Sequence, residues 1–192
     1  MKLVFATHNK NKFEEVRKLV PNHIELLSLT DIDCFEEISE TGETLQENAK
    51  IKSDFVRKNY GLDCFSDDTG LLVDALNGEP GVYSARYAGP SKSAEANMEK
   101  ILNKMGLLEN RSARFETVIS LHFQGIHHFF TGTVDGKIIK EKRGENGFGY
   151  DPIFMPNGYL ETFAELPLEI KNKIGHRGKA MAQLMDYLKK NS

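Results

Sequence analysis

The stretch Leu3-Val4-Phe5-Ala6-Thr7-His8-Asn9-Lys10-Asn11-Lys12 decides how this chain begins to fold. Its four apolar residues predict a buried strand, and apolar residues then recur at helical spacing through Val20. Residues 23–29 predict a second strand, so the chain opens as a strand–helix–strand unit. The turn at residues 7–12 brings two lysines to the N-terminus of the helix, where backbone N–H groups attract phosphate. A simple helix cap with solvated lysines fits the same turn.

Bulk composition excludes several classes of protein. The chain has 192 residues, 40% hydrophobic and 28% charged, with a net charge of −3. This predicts a single domain over residues 1–192 and disfavours a nucleic acid polymer or a membrane as partner. Cys34 and Cys64 have no metal-binding or disulfide spacing, which favours a reducing compartment. The first apolar run is too short for a signal peptide, so we expect a cytoplasmic protein.

The rest of the chain alternates between helical and strand patterns. Helices are predicted at residues 44–58, with Thr44 and Glu47 at capping-box spacing, at 94–105, ended by Gly106, and at 176–190. Strands are predicted at 62–66, in a hairpin over 115–134 that turns at Gln124-Gly125, and at 137–140 after an Asp135-Gly136 turn. The order favours an α/β fold, with a mixed sheet flanked by helices and a possible second lobe.

Acidic residues follow the predicted strand at 62–66. Asp67 and Asp68 are adjacent carboxylates, an arrangement that a divalent cation such as Mg²⁺ stabilises. A polar β-turn at residues 67–70 explains them equally well. Of the acidic run between Glu36 and Glu47, Glu40 and Glu47 are candidates to reach the same cation, although Glu47 also fits a purely structural cap.

Two later segments carry groups suited to a purine base. The glycine-rich loop at 144–152 offers Phe148 and Tyr150 as stacking surfaces. His176 and Arg177, at the start of the last helix, can donate hydrogen bonds to a base carbonyl or a phosphate. The remaining histidines on strand patterns, at positions 23, 122, 127 and 128, have no carboxylate or cysteine at ligand spacing and are interpreted as structural.

In this order the segments resemble the Ham1 / inosine triphosphate pyrophosphatase family over essentially the whole chain. The motifs that carry the resemblance are Thr7-His8-Asn9-Lys10-Asn11-Lys12, Thr41-Gly42-Glu43-Thr44-Leu45-Gln46-Glu47-Asn48-Ala49, Asp67-Asp68-Thr69-Gly70-Leu71, Pro80-Gly81-Val82-Tyr83-Ser84-Ala85-Arg86-Tyr87, Phe148-Gly149-Tyr150-Asp151-Pro152 and His176-Arg177-Gly178-Lys179-Ala180.

The resemblance implies an elongated two-lobed α/β fold with the active site in the cleft between the lobes, and a homodimer. It implies a hydrolase acting on acid anhydrides: Mg²⁺-dependent cleavage of non-canonical purine nucleoside triphosphates (ITP, dITP, XTP) to the monophosphate and pyrophosphate, which cleanses the nucleotide pool.

The resemblance also assigns roles to individual residues. Asp68 corresponds to the catalytic proton acceptor and a metal ligand, and Glu40 to a second metal ligand. The other assignments are substrate contacts: Thr7, His8, Asn9, Lys10, Asn11 and Lys12 for the triphosphate, Thr69 beside the catalytic aspartate, and Phe148, Gly149, Tyr150, Asp151, Lys171, His176 and Arg177 for the base.

Two other functions remain open from the sequence. A pyrophosphatase of the Maf type, acting on pyrimidine or modified nucleotides, has a similar strand–turn opening. A non-catalytic nucleotide-binding regulator could use the same phosphate turn, but adjacent carboxylates facing a phosphate would not help such a protein.

Overall fold

The computed structural model describes residues 1–191; Ser192, the last residue of the predicted domain and of the chain, lies outside the described residues. The strands are β1 Lys2–Phe5, β2 Glu25–Leu27, β3 Cys64–Val73, β4 Ser112–Phe123, β5 Ile126–Ile138 and β6 Phe154–Pro156. The helices are α1 Lys10–Arg17, α2 Leu45–Tyr60, α3 Ala94–Met105, α4 Leu168–Ile174 and α5 His176–Asn191. Within residues 1–191, no helix combines the length and the apolar character needed to cross a membrane.

The six strands form one mixed sheet in the order β2-β1-β3-β4-β5-β6. β1 pairs in parallel with β2 and with β3, whereas β5 and β6 are antiparallel. Because parallel neighbours need a crossover, α1 connects β1 to β2, as the opening pattern predicted. The predicted α/β class, a mixed sheet flanked by helices, is confirmed.

The chain divides into two compact units that are each assembled from separate segments. The first contains Met1–Asp68, Thr117–Gly132 and the chain from Gly178 onward, and the second contains Thr69–Glu116 and Thr133–Arg177. The core of the first unit includes Phe5 and Phe65, whose rings stack at a centroid distance of 4.6 Å. The core of the second unit includes Phe115, Phe154 and Phe163, all nearly inaccessible to solvent.

The predicted helix ends are confirmed where local chemistry defines them. Thr44 caps α2 by accepting a hydrogen bond from the Glu47 N–H, and the Glu47 carboxylate accepts from the Thr44 N–H in return. α3 covers the predicted residues, with Ser93 as its N-cap and Gly106 as its C-cap. Such ends are predictable because the interacting residues lie within one helical turn of each other.

One turn that the sequence left open is excluded, and one predicted turn is wrong. Residues 67–70 are not a β-turn: β3 continues through them to Val73, and most of its residues are buried. β1 pairs with β3 at Cys64 and Phe65, and β4 is the other neighbour of β3 in the sheet, so residues 67–70 belong to an extended strand and not to a turn. Asp135-Gly136 is also not a turn, since β5 runs through it to Ile138 and no separate strand follows at residues 137–140.

Gly136 has a different role from the one the turn prediction gave it. It pairs with Pro156 of β6, and a Cβ at position 136 would collide with the Met155 carbonyl oxygen and the Phe154 ring. The glycine therefore permits close approach of β6 to β5. β6 and α4 themselves were missed because both are short and lack a clear periodic pattern.

Candidate active site

Asp67 and Asp68 point to different surroundings because successive strand residues face opposite sides of a sheet. Oδ1 of Asp67 accepts a hydrogen bond from Nζ of Lys12 at 3.0 Å, and the Asp67 side chain is 2% exposed. Oδ1 of Asp68 lies 3.8 Å from Nζ of Lys52. A buried strand therefore holds two neighbouring carboxylates, each facing a lysine.

Lys52 was not predicted as a site residue, although it interrupts the apolar stripe of α2. Its ammonium group forms an ion pair with Glu40 and lies near Asp68. Burial acts to lower the pKa of Lys52, but the carboxylates of Asp68, Glu40 and Asp67 outweigh it and raise the pKa. A lysine in an otherwise apolar helix stripe is the sequence feature that could have identified it.

Asp68 is held in an environment that disfavours its charge. Burial raises its pKa, the largest effect, and Lys52 and Lys12 only partly oppose this. Among residues 1–191, Oδ2 of Asp68 is buried and has no hydrogen-bond partner, and the same is true of Nδ2 of Asn48 on α2. We call Lys12, Glu40, Lys52, Asp67 and Asp68 the carboxylate cluster; all five belong to the first unit.

The turn after β1 combines a helix cap with one contact to the carboxylate cluster. The Asn9 side chain is the N-cap of α1 and accepts a hydrogen bond from the Lys12 N–H, so the simple capping interpretation is confirmed for this residue. Thr7 Oγ1 accepts from the Asn9 N–H, and His8 Nε2 lies 2.9 Å from the Glu36 carbonyl oxygen. Lys10 and Asn11 are exposed, and Lys12 reaches Asp67.

The two glutamates considered as cation ligands have different surroundings. Glu40 contacts Lys52 and so joins the carboxylate cluster. Glu47 instead accepts hydrogen bonds from the backbone N–H groups of Glu43 and Thr44, at 2.7 and 3.3 Å. Glu47 is therefore the structural cap that its spacing predicted.

A second group of site residues gathers around Asp151 in the second unit. Oδ2 of Asp151 accepts hydrogen bonds from the Phe148 N–H and from Nζ of Lys171, both at 2.8 Å. The Lys171 and Asp151 side chains are only 5% and 4% exposed. Gly147 is required beside them, because it has a φ of +78° and a Cβ there would collide with the Asp151 carboxylate.

Phe148 and the start of α5 complete what we call the Asp151 cluster: Thr69, Phe148, Asp151, Lys171, His176 and Arg177. The Lys171 ammonium lies 4.9 Å and the Arg177 guanidinium carbon 5.6 Å from the Phe148 ring centroid. Arg177 also donates to Thr69 Oγ1 at 3.1 Å. His176 is buried and stacks on Phe115 at 4.6 Å, so its ring is held in a fixed orientation.

Tyr150 is not a stacking surface like Phe148. Its ring belongs to the core of the second unit, and its hydroxyl donates to the Ser84 carbonyl oxygen at 2.7 Å. Gly149, just before it, has a φ of +64°. Together they let the chain turn sharply between a half-buried Phe148 and a buried Tyr150, so Tyr150 anchors the loop.

One of the histidines interpreted as structural has a carboxylate neighbour that lies far away in the sequence. His122 Nε2 lies 2.6 Å from Oδ1 of Asp54, which is 68 positions away in the chain. His23 lies in a turn before β2 and not on a strand. Sequence spacing could not show the first contact because Asp54 is brought to β4 by the packing of α2.

Comparison with known proteins agrees with the motifs. A sequence model of the Ham1 family matches residues 3–187. A protein of Christiangramia forsetii named dITP/XTP pyrophosphatase is 60% identical over 190 residues, with 99% of this chain and 100% of that protein covered. One of Flavobacterium johnsoniae with the same name is 59% identical, with 98% of each chain covered.

Solved structures agree as well. The Ham1 protein of Staphylococcus aureus superposes with a TM-score of 0.91 at 41% identity and full coverage of both chains. A HAM1 protein from Coxiella burnetii gives a TM-score of 0.90 at 38% identity, with 99% of each chain covered. This chain belongs to the Ham1 family.

Proposed function

We propose that this protein hydrolyses dITP, ITP and XTP to the corresponding nucleoside monophosphate and pyrophosphate. The observation that carries the proposal is the carboxylate cluster, in which a buried Asp68 faces a lysine and leaves one carboxylate oxygen without a hydrogen-bond partner within residues 1–191. Relatives named dITP/XTP pyrophosphatase, identical to this chain at up to 60% of positions, support the substrate class.

The donor set of the carboxylate cluster fits Mg²⁺. Carboxylate oxygens are the ligands this cation prefers, and Asp68 Oδ2 is an acceptor with no internal partner in the described part of the chain. We propose Asp68 and Glu40 as the residues that hold it. When bound, Mg²⁺ neutralises phosphate charge and makes attack by water easier.

The chain's own groups account for the remaining requirements of the reaction. The triphosphate is proposed to bind to the exposed Lys10 and the N-terminal end of α1. The other proposed triphosphate contacts lie around this end: Thr7, His8, Asn9, Asn11 and Lys12. Asp68 accepts a proton from the attacking water at a carboxylate oxygen. The water oxygen bonds to the α-phosphorus, the bond from that phosphorus to the α–β bridging oxygen breaks, and pyrophosphate leaves with the bonding pair.

The Asp151 cluster is proposed to recognise the base. Lys171 and Arg177 carry hydrogen-bond donors beside the Phe148 ring, and His176 has a fixed orientation. Donors match the 6-oxo group of hypoxanthine or xanthine, whereas the 6-amino group of adenine cannot accept them. A site that depends on such hydrogen bonds rejects a base unable to make them by a large factor. The residues that support or border these donors are Thr69, Gly149, Tyr150 and Asp151.

The experiment is a panel of nucleoside triphosphates with Mg²⁺ and identification of the products. We expect ITP, dITP and XTP to give monophosphate and pyrophosphate, and ATP, whose base carries a 6-amino group, to be turned over far more slowly. Release of orthophosphate would overturn the pyrophosphatase assignment. Preferential turnover of UTP would indicate the Maf-type activity. Tight nucleotide binding without hydrolysis would indicate a non-catalytic regulator.

We also propose that the protein acts as a homodimer, which the family resemblance implies. Light scattering coupled to size-exclusion chromatography tests this directly. A mass of one chain at micromolar concentration would contradict it.

A further inference from the structure

Three polar side chains meet in the first unit outside the carboxylate cluster. Asp54 lies on α2, His122 near the end of β4 and His127 near the start of β5. One ligand atom from each of them lies within 4.8 Å of the other two. None of these residues takes part in the proposed reaction.

The local geometry is defined by the hairpin. Only Gln124 and Gly125 separate β4 from β5, so His122 and His127 face each other across the two strands. Their rings stack at a centroid distance of 4.4 Å with an interplanar angle of 21°. Nε2 of His122 lies 2.6 Å from Oδ1 of Asp54. An oxygen and two imidazoles from three elements thus converge on one place.

A second layer of hydrogen bonds orients His127. Its Nε2 lies 2.8 Å from Oγ of Ser120, and that hydroxyl lies 2.7 Å from Oγ of Ser53. Both serines are fully buried. Histidines that bind metals usually use one ring nitrogen for the metal and the other for such a partner, which fixes the ring. Because Nε2 of His127 faces Ser120, Nδ1 is the ring nitrogen that can serve as a metal ligand.

The neighbouring Lys50 does not occupy the place where the three side chains converge. Lys50 forms an i,i+4 ion pair with Oδ2 of Asp54, the oxygen that His122 does not contact. The Lys50 and Asp54 side chains are 48% and 41% exposed, and ion pairs this exposed are weak. His122 is 17% exposed, so an ion can reach the group from solvent.

We propose that Asp54, His122 and His127 form a binding site for a divalent transition-metal cation of the zinc type, separate from the Mg²⁺ site. Two imidazoles and one carboxylate are a ligand set that Zn²⁺ takes with water in the fourth position, and that Mg²⁺ does not favour. Ligand atoms around tetrahedral zinc are about 3.3 Å apart. The ligand atoms here lie within 4.8 Å of one another, with Asp54 and His122 in direct contact, so small side-chain shifts would complete the site. A bound ion would tie α2 to the β4–β5 hairpin.

The test is titration calorimetry with ZnCl₂ on tag-free protein stripped with EDTA, in excess Mg²⁺ and without nucleotide. We expect one saturable zinc site in the native protein. Binding should weaken by at least about tenfold in His127→Gln and in Asp54→Asn. His128→Gln is the matched control: its ring contacts Tyr187, 4.3 Å away, and its loss should leave zinc affinity unchanged.

Asp68→Asn separates this site from the carboxylate cluster. Zinc binding that persists in Asp68→Asn and is lost in His127→Gln supports the proposal. Binding that is lost in Asp68→Asn, or that is equal in native and His127→Gln protein, overturns it, as does the absence of saturable binding. As a second readout, Zn²⁺ should raise the melting temperature of native protein but not of Asp54→Asn, because a ligand stabilises only the fold that binds it.

Discussion

Nζ of Lys12 donates a hydrogen bond to Oδ1 of Asp67 at 3.0 Å, and both side chains are largely buried, at 15% and 2% exposure. The contact joins the first residues of α1 to the middle of β3. The turn after β1 is thereby attached to the strand that carries Asp68. A residue proposed to bind phosphate therefore also has a structural role.

We expect Lys12→Met to lower the free energy of unfolding by about 2 kcal/mol, because it leaves the Asp67 charge buried without its ammonium partner. Lys10→Met is the matched control, since Lys10 is exposed and its loss should change stability by less than about 0.5 kcal/mol. Urea denaturation of both variants measures the difference. Equal stability of the two variants would contradict a structural role for the Lys12–Asp67 pair.

Asp68→Asn should remove at least about 99% of turnover, because a proposed proton acceptor and metal ligand is lost. The fold should survive. Burial raises the pKa of Asp68, so the folded state disfavours its charged form, and a neutral amide relieves that cost. We therefore expect the free energy of unfolding to fall by no more than about 1 kcal/mol relative to the native protein. Residual activity near the native level would show that another group accepts the proton.

Lys171→Met should destabilise the protein by about 3 kcal/mol, since Asp151 is 4% exposed and loses a charged donor. Adding Asp151→Asn should recover part of this loss, because an amide oxygen can still accept the Phe148 N–H. Lys173→Met, at an exposed position of the same helix, is the control. If the double variant is less stable than Lys171→Met, the Lys171–Asp151 pair does not stabilise the fold by compensating a buried charge.

Cys64 should be inert to thiol reagents in the folded protein. Burial raises its pKa to about 12, and the thiol donates to the Ser53 carbonyl oxygen at 3.3 Å. The reactive thiolate is therefore scarce at pH 8, as well as inaccessible. In a Cys34→Ser background, a chromogenic disulfide reagent should release its product only on unfolding. Rapid reaction under native conditions would mean that β3 opens readily.

Local features were predictable from sequence because the groups that determine them are neighbours along the chain. The capping box of Thr44 and Glu47 and the exact span of α3 depend on residues one helical turn apart. The six motifs, taken in their order along the chain, were enough to recognise the family. The turn considered at residues 67–70 and the turn predicted at Asp135-Gly136 are absent for the opposite reason, since both segments lie in strands whose partners are distant along the chain.

The sequence by itself determined the opening strand–helix–strand unit, the mixed α/β class and the residue types available for the reaction. Tertiary structure alone decided which of them meet. It brought Lys12 to Asp67 across 55 positions and Asp54 to His122 across 68, and it placed Lys52 between Glu40 and Asp68. Side-chain periodicity is a property of a local segment, whereas a contact between charges depends on the path of the whole chain and on burial that strengthens their interaction.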